Sequence, residues 1–383
     1  MQFRDLKRQY SVLKEDIDKA MVDTATGGAY INGAAVKTLE QELAEYVGVR
    51  HCISCANGTD ALSIALKVWG IGPGDVVFVP DFTFFSSAEV VAAEGALPVF
   101  VDVDPVTYNI DPQDLERRIE IVEREGAFKP RAIVTVDLFG LPADYDAIRG
   151  IADRHGLWIL EDAAQGFGGS IRGRRACSFG DIATTSFFPA KPLGCYGDGG
   201  AIFTDNDEWA ALAGSIKVHG KGTFKYDNVR IGMNSRLDTI QAAILLVKFH
   251  AFRDHELEAV NKAAAGLTER LRGLEWLVLP SVPEGFVSSW AQYTIQLREP
   301  LERSSLQAFL GSRDIPSMVY YPAGMHAQTA FASCEGQAGR DNRFGALPVS
   351  EELCRRVLSL PMHPYITDGE LDAVAGAISE YSI

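Results

Sequence analysis

Lys191 is the single charged residue between Ile182 and Gly197, with Asp181 and Asp198 bracketing the stretch. An ammonium group set among apolar residues, with Pro189 and Pro192 on either side, costs free energy unless it has a task. A sheltered lysine gives up its proton more readily, and the free amine can then attack an aldehyde to form a Schiff base. Seen alone, such a lysine is more often a loop residue whose stem covers apolar surface while its tip reaches water. Four further features of the chain shift that weighting.

Asn57-Gly58-Thr59-Asp60 falls between a predicted strand and a predicted helix. Gly58 lets a ligand come close to the backbone, Thr59 offers a hydroxyl, and the helix start adds amide donors, which together make a phosphate cradle. Without other support the same residues are commonly just a helix cap, and no Gly-Lys-Ser/Thr follows to suggest a nucleoside-triphosphate loop. Asp162 comes directly after the apolar run Trp158–Glu161, at the strand end where a parallel sheet gathers its ligands. A carboxylate there can hold a proton on a pyridine nitrogen and turn the ring into an electron sink. It can equally bind neighbouring loop amides. Ser186, five residues before Lys191, can donate to a phosphate. Phe84, in Pro80-Asp-Phe-Thr-Phe-Phe-Ser-Ser87, can stack on a flat ring, although the core is the commoner fate of a phenylalanine. A phosphate site, a ring face, a partner for a ring nitrogen and an amine for an aldehyde describe pyridoxal 5′-phosphate (PLP).

Positioning these groups requires alternating strands and helices. Leu39, Leu43, Tyr46 and Val47 share one helical face that ends at Gly48. A short strand at Ile53 leads through the Asn57 turn into an apolar helix ending near Trp69. Strands are predicted over Val76–Val79, Pro98–Val103, Ala132–Val136 and Leu157–Leu160, and helices over Ser86–Glu94, from Asp111-Pro112, and over Asp144–His155. This rhythm predicts an α/β fold with a mostly parallel sheet covered on both faces. Beyond residue 180, Ile182–Phe188 and Gly200–Thr204 read as strands joined by the lysine loop, and Asp238–Leu274 as a long helical tract. A smaller α/β region follows, with a strand over Ala291–Leu297 and helices from Ser304, Ser350 and Thr367. Ser304 with Gln307, and Thr367 with Glu370, have capping-box spacing. The expected organisation is an N-terminal arm (1–30), a large domain (31–250) that holds PLP, and a small C-terminal domain (251–383).

With 383 residues the chain can bury a large core and form two or three domains. A formal charge of −15 argues against a nucleic-acid binder. No apolar run approaches a membrane span, and the charged start Met1–Tyr10 has no signal-peptide core, which predicts a cytoplasmic protein away from membranes. Six scattered cysteines do not suggest a disulfide scaffold. Cys52-Ile-Ser-Cys55 has redox or zinc spacing, but no second pair accompanies it; it reads as a buried strand, and no metal is expected.

Phe3-Arg-Asp-Leu6, Tyr30-Ile-Asn-Gly33, Asn57-Gly-Thr-Asp-Ala-Leu62, Glu161-Asp-Ala-Ala-Gln165, Ser186-Phe-Phe-Pro-Ala-Lys191, Gly197-Asp-Gly-Gly200, Asn234-Ser-Arg-Leu-Asp238 and Tyr321-Pro322 together resemble the DegT/DnrJ/EryC1/StrS family of PLP-dependent nucleotide-sugar aminotransferases, of PLP fold type I. The resemblance implies that Lys191 and Asp162 are catalytic. It implies that Gly58, Thr59, Asp60 and Ser186 lie at the phosphate, that Phe84 stacks on the ring and that Gln165 lies beside it. It further implies a homodimer with a shared active site, in which Asn234 reaches the neighbouring subunit's cofactor. L-glutamate is the implied amino donor, a UDP- or dTDP-linked keto sugar the acceptor, and polysaccharide assembly the setting. Cys52–Asp60, Phe187–Gly200 and Leu360–Tyr365 are most similar to members that aminate C3 of UDP-2-acetamido-2-deoxy-3-oxo-glucuronate. There an arginine and a His-Tyr-Pro segment meet the sugar carboxylate. Arg236 matches the arginine, whose fork suits a carboxylate, whereas Tyr320-Tyr321-Pro322 puts tyrosine in place of the histidine. A 3-keto- or 4-keto-6-deoxy sugar therefore stays open as acceptor. His219 and His363 are further candidates for substrate contact. A PLP-dependent sugar dehydratase is the alternative chemistry; members of that kind carry histidine at the lysine position, so Lys191 favours amino transfer.

Overall fold

The computed structural model describes residues 1–224, 226–332 and 344–381. In chain order the first half comprises α1 (Leu6–Gly27), α2 (Ala34–Val47), β1 (His51–Cys55), α3 (Gly58–Val68), β2 (Asp75–Pro80), α4 (Ser86–Ala93), β3 (Leu97–Val101), α5 (Pro112–Glu125), β4 (Lys129–Val136), α6 (Tyr145–His155), β5 (Trp158–Asp162), β6 (Ser170–Ile171) and β7 (Arg174–Arg175). It continues with β8 (Ile182–Ser186), β9 (Gly200–Thr204), α7 (Asp207–Ile216), α8 (Thr239–Ala251), α9 (Leu257–Leu271), β10 (Leu277–Val278), β11 (Phe286–Val287), β12 (Tyr293–Leu297), α10 (Arg303–Gly311), α11 (Pro348–Arg356), β13 (Val357–Leu360) and α12 (Asp368–Glu380).

Seven strands form the central sheet in the order β1-β9-β8-β5-β4-β2-β3, and only β9 runs against the others. β2, β9 and the edge strand β3 are buried along their whole length, and β5 and β8 at all but one residue, as a sheet with helices on both faces requires. The expected α/β architecture is thus present. The antiparallel β9 has a consequence for the site: Gly200 lies opposite both Cys55 and Ser186, so the ends of β1 and β8 meet on one glycine. A Cβ on Gly200 would lie 2.5 Å from the Asn57 carbonyl carbon.

A second sheet, β10-β12-β13, carries its own apolar cluster, including Leu267, Tyr293, Ile295, Leu306, Leu358 and Ile378. A third, minor one joins β11, β6 and β7. The sequence reading did not anticipate β13. Its four residues follow α11 without a turn residue to punctuate them.

Other boundaries differ for identifiable reasons. The arm expected over 1–30 is largely the 22-residue helix α1, capped by Asp5 accepting from the Arg8 N–H. Only Gln9 and Ile17 of α1 are buried, so the apolar periodicity that announces a helix is thin. The long tract breaks at a π turn, Phe252–Glu256, between α8 and α9. The Thr367–Glu370 capping box forms. The Ser304–Gln307 box does not, because α10 starts earlier, after Glu302, with no side-chain cap. Cys52, Cys55, Cys177, Cys195 and Cys354 are buried free thiols; Cys334 lies outside the described residues. Among those residues no helix is long and apolar enough to cross a membrane.

Candidate active site

Strand ends converge on a cavity of about 730 Å³. Its floor and one wall come from the central sheet: Gly58 and Thr59 at the start of α3, Phe84 after β2, Asp162 at the end of β5 with Gln165 beyond it, and Ser186 at the end of β8 with Lys191 beyond it. The opposite wall is Val319–Ala323 with Met325 and Gln328, including Tyr320 and Tyr321. Asp60, His219, Asn234 and Arg236 do not line this cavity within one chain.

Each lining group has a local cause. Asn57 caps α3 by accepting from the Asp60 N–H at 2.8 Å, which leaves the neighbouring amides at the helix start free to face a ligand. Gly58 packs so tightly on β8 that an added Cβ would lie 2.7 Å from Ser186 Cβ. Only a residue without a side chain lets the phosphate cradle and Ser186 sit side by side. Asp162 is 4% exposed. Ser87 Oγ donates to its Oδ2 at 2.7 Å, and the Ala164 N–H donates to Oδ1 at 3.2 Å. Burial pushes this carboxyl above the usual range, against those two hydrogen bonds and the Lys191 charge. A buried acid in that condition gains most from a cation brought to it.

Lys191 is partly exposed to the open cavity. The protein crowded around it pushes its ammonium below the usual lysine range, opposed by the charge of Asp162 and reinforced by that of Arg4. The turn that presents it is closed by the Lys191 N–H on the Phe188 carbonyl at 2.9 Å. Gln165 is held at three points. Its Oε1 accepts from the Phe139 N–H at 2.7 Å, its Nε2 donates to Tyr321 Oη at 3.0 Å, and its carbonyl accepts from Ser289 Oγ at 2.6 Å. Phe84 is 52% exposed and lines the cavity, its ring centroid 6.4 Å from that of Tyr321.

The Tyr320–Tyr321 wall is tied to the sheet by Asp81. Its backbone carbonyl accepts from the Met325 N–H, Oδ1 accepts from the His326 N–H at 2.8 Å, and Oδ2 lies 2.8 Å from His326 Nδ1. Sequence reasoning missed this pair and also Ser87. Ser87 was visible in the quoted Pro80–Ser87 segment, but nothing in the local pattern marks a contact 75 residues away.

His219, Asn234 and Arg236 belong to a loop after α7. The His219 N–H donates to the Met233 carbonyl, Asn234 bridges to Val218, and Ser235 Oγ accepts from the Ala56 N–H. Asn234 is exposed and Arg236 partly so. His363 is 2% exposed with neither ring nitrogen hydrogen-bonded, and burial pushes it down to about 4.

An amine, a buried acid, a helix start whose glycine leaves no room for a Cβ beside Ser186, and an exposed aromatic ring line one cavity. The donor set fits PLP. The family model described as the DegT/DnrJ/EryC1/StrS aminotransferase family matches residues 11–379. The chain is 43% identical over 379 residues to the UDP-2-acetamido-2-deoxy-3-oxo-D-glucuronate aminotransferase of Pseudomonas aeruginosa, covering 99% of each. It is likewise 43% identical over 379 residues to a pleiotropic regulatory protein of Geobacillus stearothermophilus, covering 98% of this chain and 97% of the relative. Among solved structures, a DegT/DnrJ/EryC1/StrS aminotransferase from Brucella abortus superposes with a TM-score of 0.94 at 48% identity, over 99% of this chain and 98% of that one. A Bacillus subtilis protein, NtdA, solved with bound cofactor PMP superposes with a TM-score of 0.83 at 31% identity, over 96% of this chain and 81% of that one.

Proposed function

The chain belongs to the DegT/DnrJ/EryC1/StrS aminotransferase family, and from that premise we propose that it moves an amino group from L-glutamate to C3 of UDP-2-acetamido-2-deoxy-3-oxo-glucuronate, with PLP as cofactor. The observation that carries the reaction class is the placement of Lys191 and Asp162 in one cavity. The substrate rests on the relative in Pseudomonas aeruginosa.

When bound, PLP supplies an aldehyde for amine exchange and a ring that takes up the electron pair released at the reacting carbon. Lys191 would carry the proton between the substrate carbon and the cofactor carbon, as base and then as acid. Its lowered proton affinity suits the first role. Asp162, oriented by Ser87, would keep the ring nitrogen protonated. Thr59, Ser186 and the first amides of α3 would hold the phosphate, with Asp60 steadying the helix start. Phe84 would cover one ring face and Gln165 the edge near Tyr321. Tyr320 and Tyr321 would contact the sugar.

Asn234, Arg236 and His219 would serve the cavity of a second copy in a cytoplasmic homodimer. Support comes from their loop, which leaves Phe224 73% and Ile231 94% exposed in the single chain; apolar groups so bare call for a partner surface. Arg236 would then meet the sugar carboxylate.

Gly58→Val tests the cradle. The new side chain cannot fit against Ser186, so PLP affinity should fall by roughly tenfold or more through displaced amide donors. Fluorescence titration of the cofactor-free protein measures this, and an unchanged dissociation constant would remove the cradle. For the substrate, the protein should be incubated with glutamate and a panel of UDP- and dTDP-linked keto sugars. The 3-oxo-glucuronate should turn over fastest; turnover confined to 6-deoxy sugars would refute the assignment.

A further inference from the structure

Arg4 stands just before the cap of α1, far in sequence from the lysine loop. Its guanidinium donates to the carbonyl oxygen of Lys191 at 2.8 Å and to that of Pro192 at 3.3 Å. Both acceptors belong to the turn that carries the reactive amine. One guanidinium nitrogen, Nη2, makes both bonds; its two hydrogens lie in the fixed guanidinium plane, so bridging two successive carbonyls sets the direction of the turn in a way a freely rotating ammonium does not.

The charges around Arg4 leave it the steady cation at this point. Burial draws its guanidinium down to about 10, countered by Glu256 of the π turn, so it stays positive at neutral pH. Lys248 of α8 is pulled down to about 8 and His363 to about 4, each in part by the Arg4 charge. Glu256 is shared with Gln9 Nε2 at 2.9 Å and Tyr365 Oη at 2.6 Å. Facing Lys191 itself are Asp162, which attracts its proton, and Arg4, which repels it.

We propose that Arg4 is a positioning residue for Lys191, clamping the two carbonyls of its turn and holding a fixed positive charge behind the amine. This rests on the reading of Lys191 as the reacting amine. Arg4 is not among the residues lining the cavity; it acts through the backbone and the field at Lys191.

The test uses the full-length protein, with Arg4→Met and Arg4→Lys. In the cofactor-free form, reductive methylation across a pH series is read at Lys191 by mass spectrometry, with exposed Lys37 as internal reference. Arg4→Met should raise the labelling midpoint of Lys191 by roughly one pH unit, the scale of one lost neighbouring charge, and leave Lys37 in place. It should also speed PLP release about tenfold, equivalent to about 1.4 kcal/mol. Arg4→Lys should restore the midpoint but not the release rate, because a freely rotating ammonium on a flexible stem does not hold the two carbonyls in one fixed plane as the guanidinium nitrogen does. Either readout staying at the wild-type value in a folded Arg4→Met protein overturns the proposal, as does an Arg4→Lys midpoint that stays shifted. An active Lys191→Ala protein would instead remove the underlying reading of Lys191.

Discussion

Lys191→Ala should lower turnover by at least about a thousandfold, the scale of losing a positioned proton carrier, while the protein stays folded. The side chain lies at the cavity wall and is partly exposed, so its truncation opens space without emptying the core. No other lining residue can take over. Asp162 is engaged by Ser87 and Ala164. Tyr321 is held by Gln165, and burial pushes its phenol well above the usual range. Lys191 is the sole amine among the described lining residues. Adding a small primary amine to the variant should recover part of the lost rate in proportion to its concentration, since the missing group is a mobile base in a cavity with room for it. Single-turnover measurements with glutamate decide the matter: a rate within tenfold of wild type would end the assignment of Lys191.

Asp162→Asn should cut kcat by roughly 100-fold or more and should leave the cofactor-free protein as stable as wild type or more so. The two effects have opposite signs for one reason. Burial raises the folded-state pKa of Asp162 above its unfolded value. The stability linked to its proton is therefore present at low pH and is lost as pH rises through the folded value, so the ionised acid is a liability at neutral pH. The neutral amide removes that liability and still offers an oxygen to Ser87 or Ala164. With the cofactor bound, the same negative charge would hold the ring proton, and its loss would weaken the electron sink. Thermal unfolding of the cofactor-free proteins, set beside kcat of the loaded ones, tests the pair of signs. A kcat within threefold of wild type, or a clear loss of cofactor-free stability, contradicts this account.

The cofactor end of the site was legible in the sequence because it is built from local patterns. Asn57-Gly58-Thr59 sits where a strand turns into a helix, Asp162 ends an apolar run, and Lys191 interrupts an uncharged one. Each signal lies within one short, continuous stretch of sequence. The contacts that orient these groups span long stretches of chain: Ser87 to Asp162, Gln165 to Tyr321, Asp81 to His326 and Arg4 to Lys191. Periodicity says nothing about such pairs, because they depend on strand order rather than on neighbours. Tyr320 and Tyr321 entered through family resemblance alone. The same limit applies to the fold. The apolar strands of the central sheet announced themselves, whereas α1, with two buried side chains, and β13, which directly follows a helix, did not.

Asp81's hold on the segment around His326 has a consequence for how such a protein can change. Within one chain, every cavity-lining group proposed to handle the proton or grip the cofactor precedes residue 200 and stands at or near the strand ends of the seven-stranded sheet. The facing wall, Val319–Gln328, is lent by a separate stretch of polypeptide, moored chiefly at Asp81, with Gln165 adding one bond to Tyr321. Mutations that reshape this borrowed rim can retune which sugar enters while the sheet-end acid and the amine keep their places. The mooring itself is the position where drift would be least forgiven.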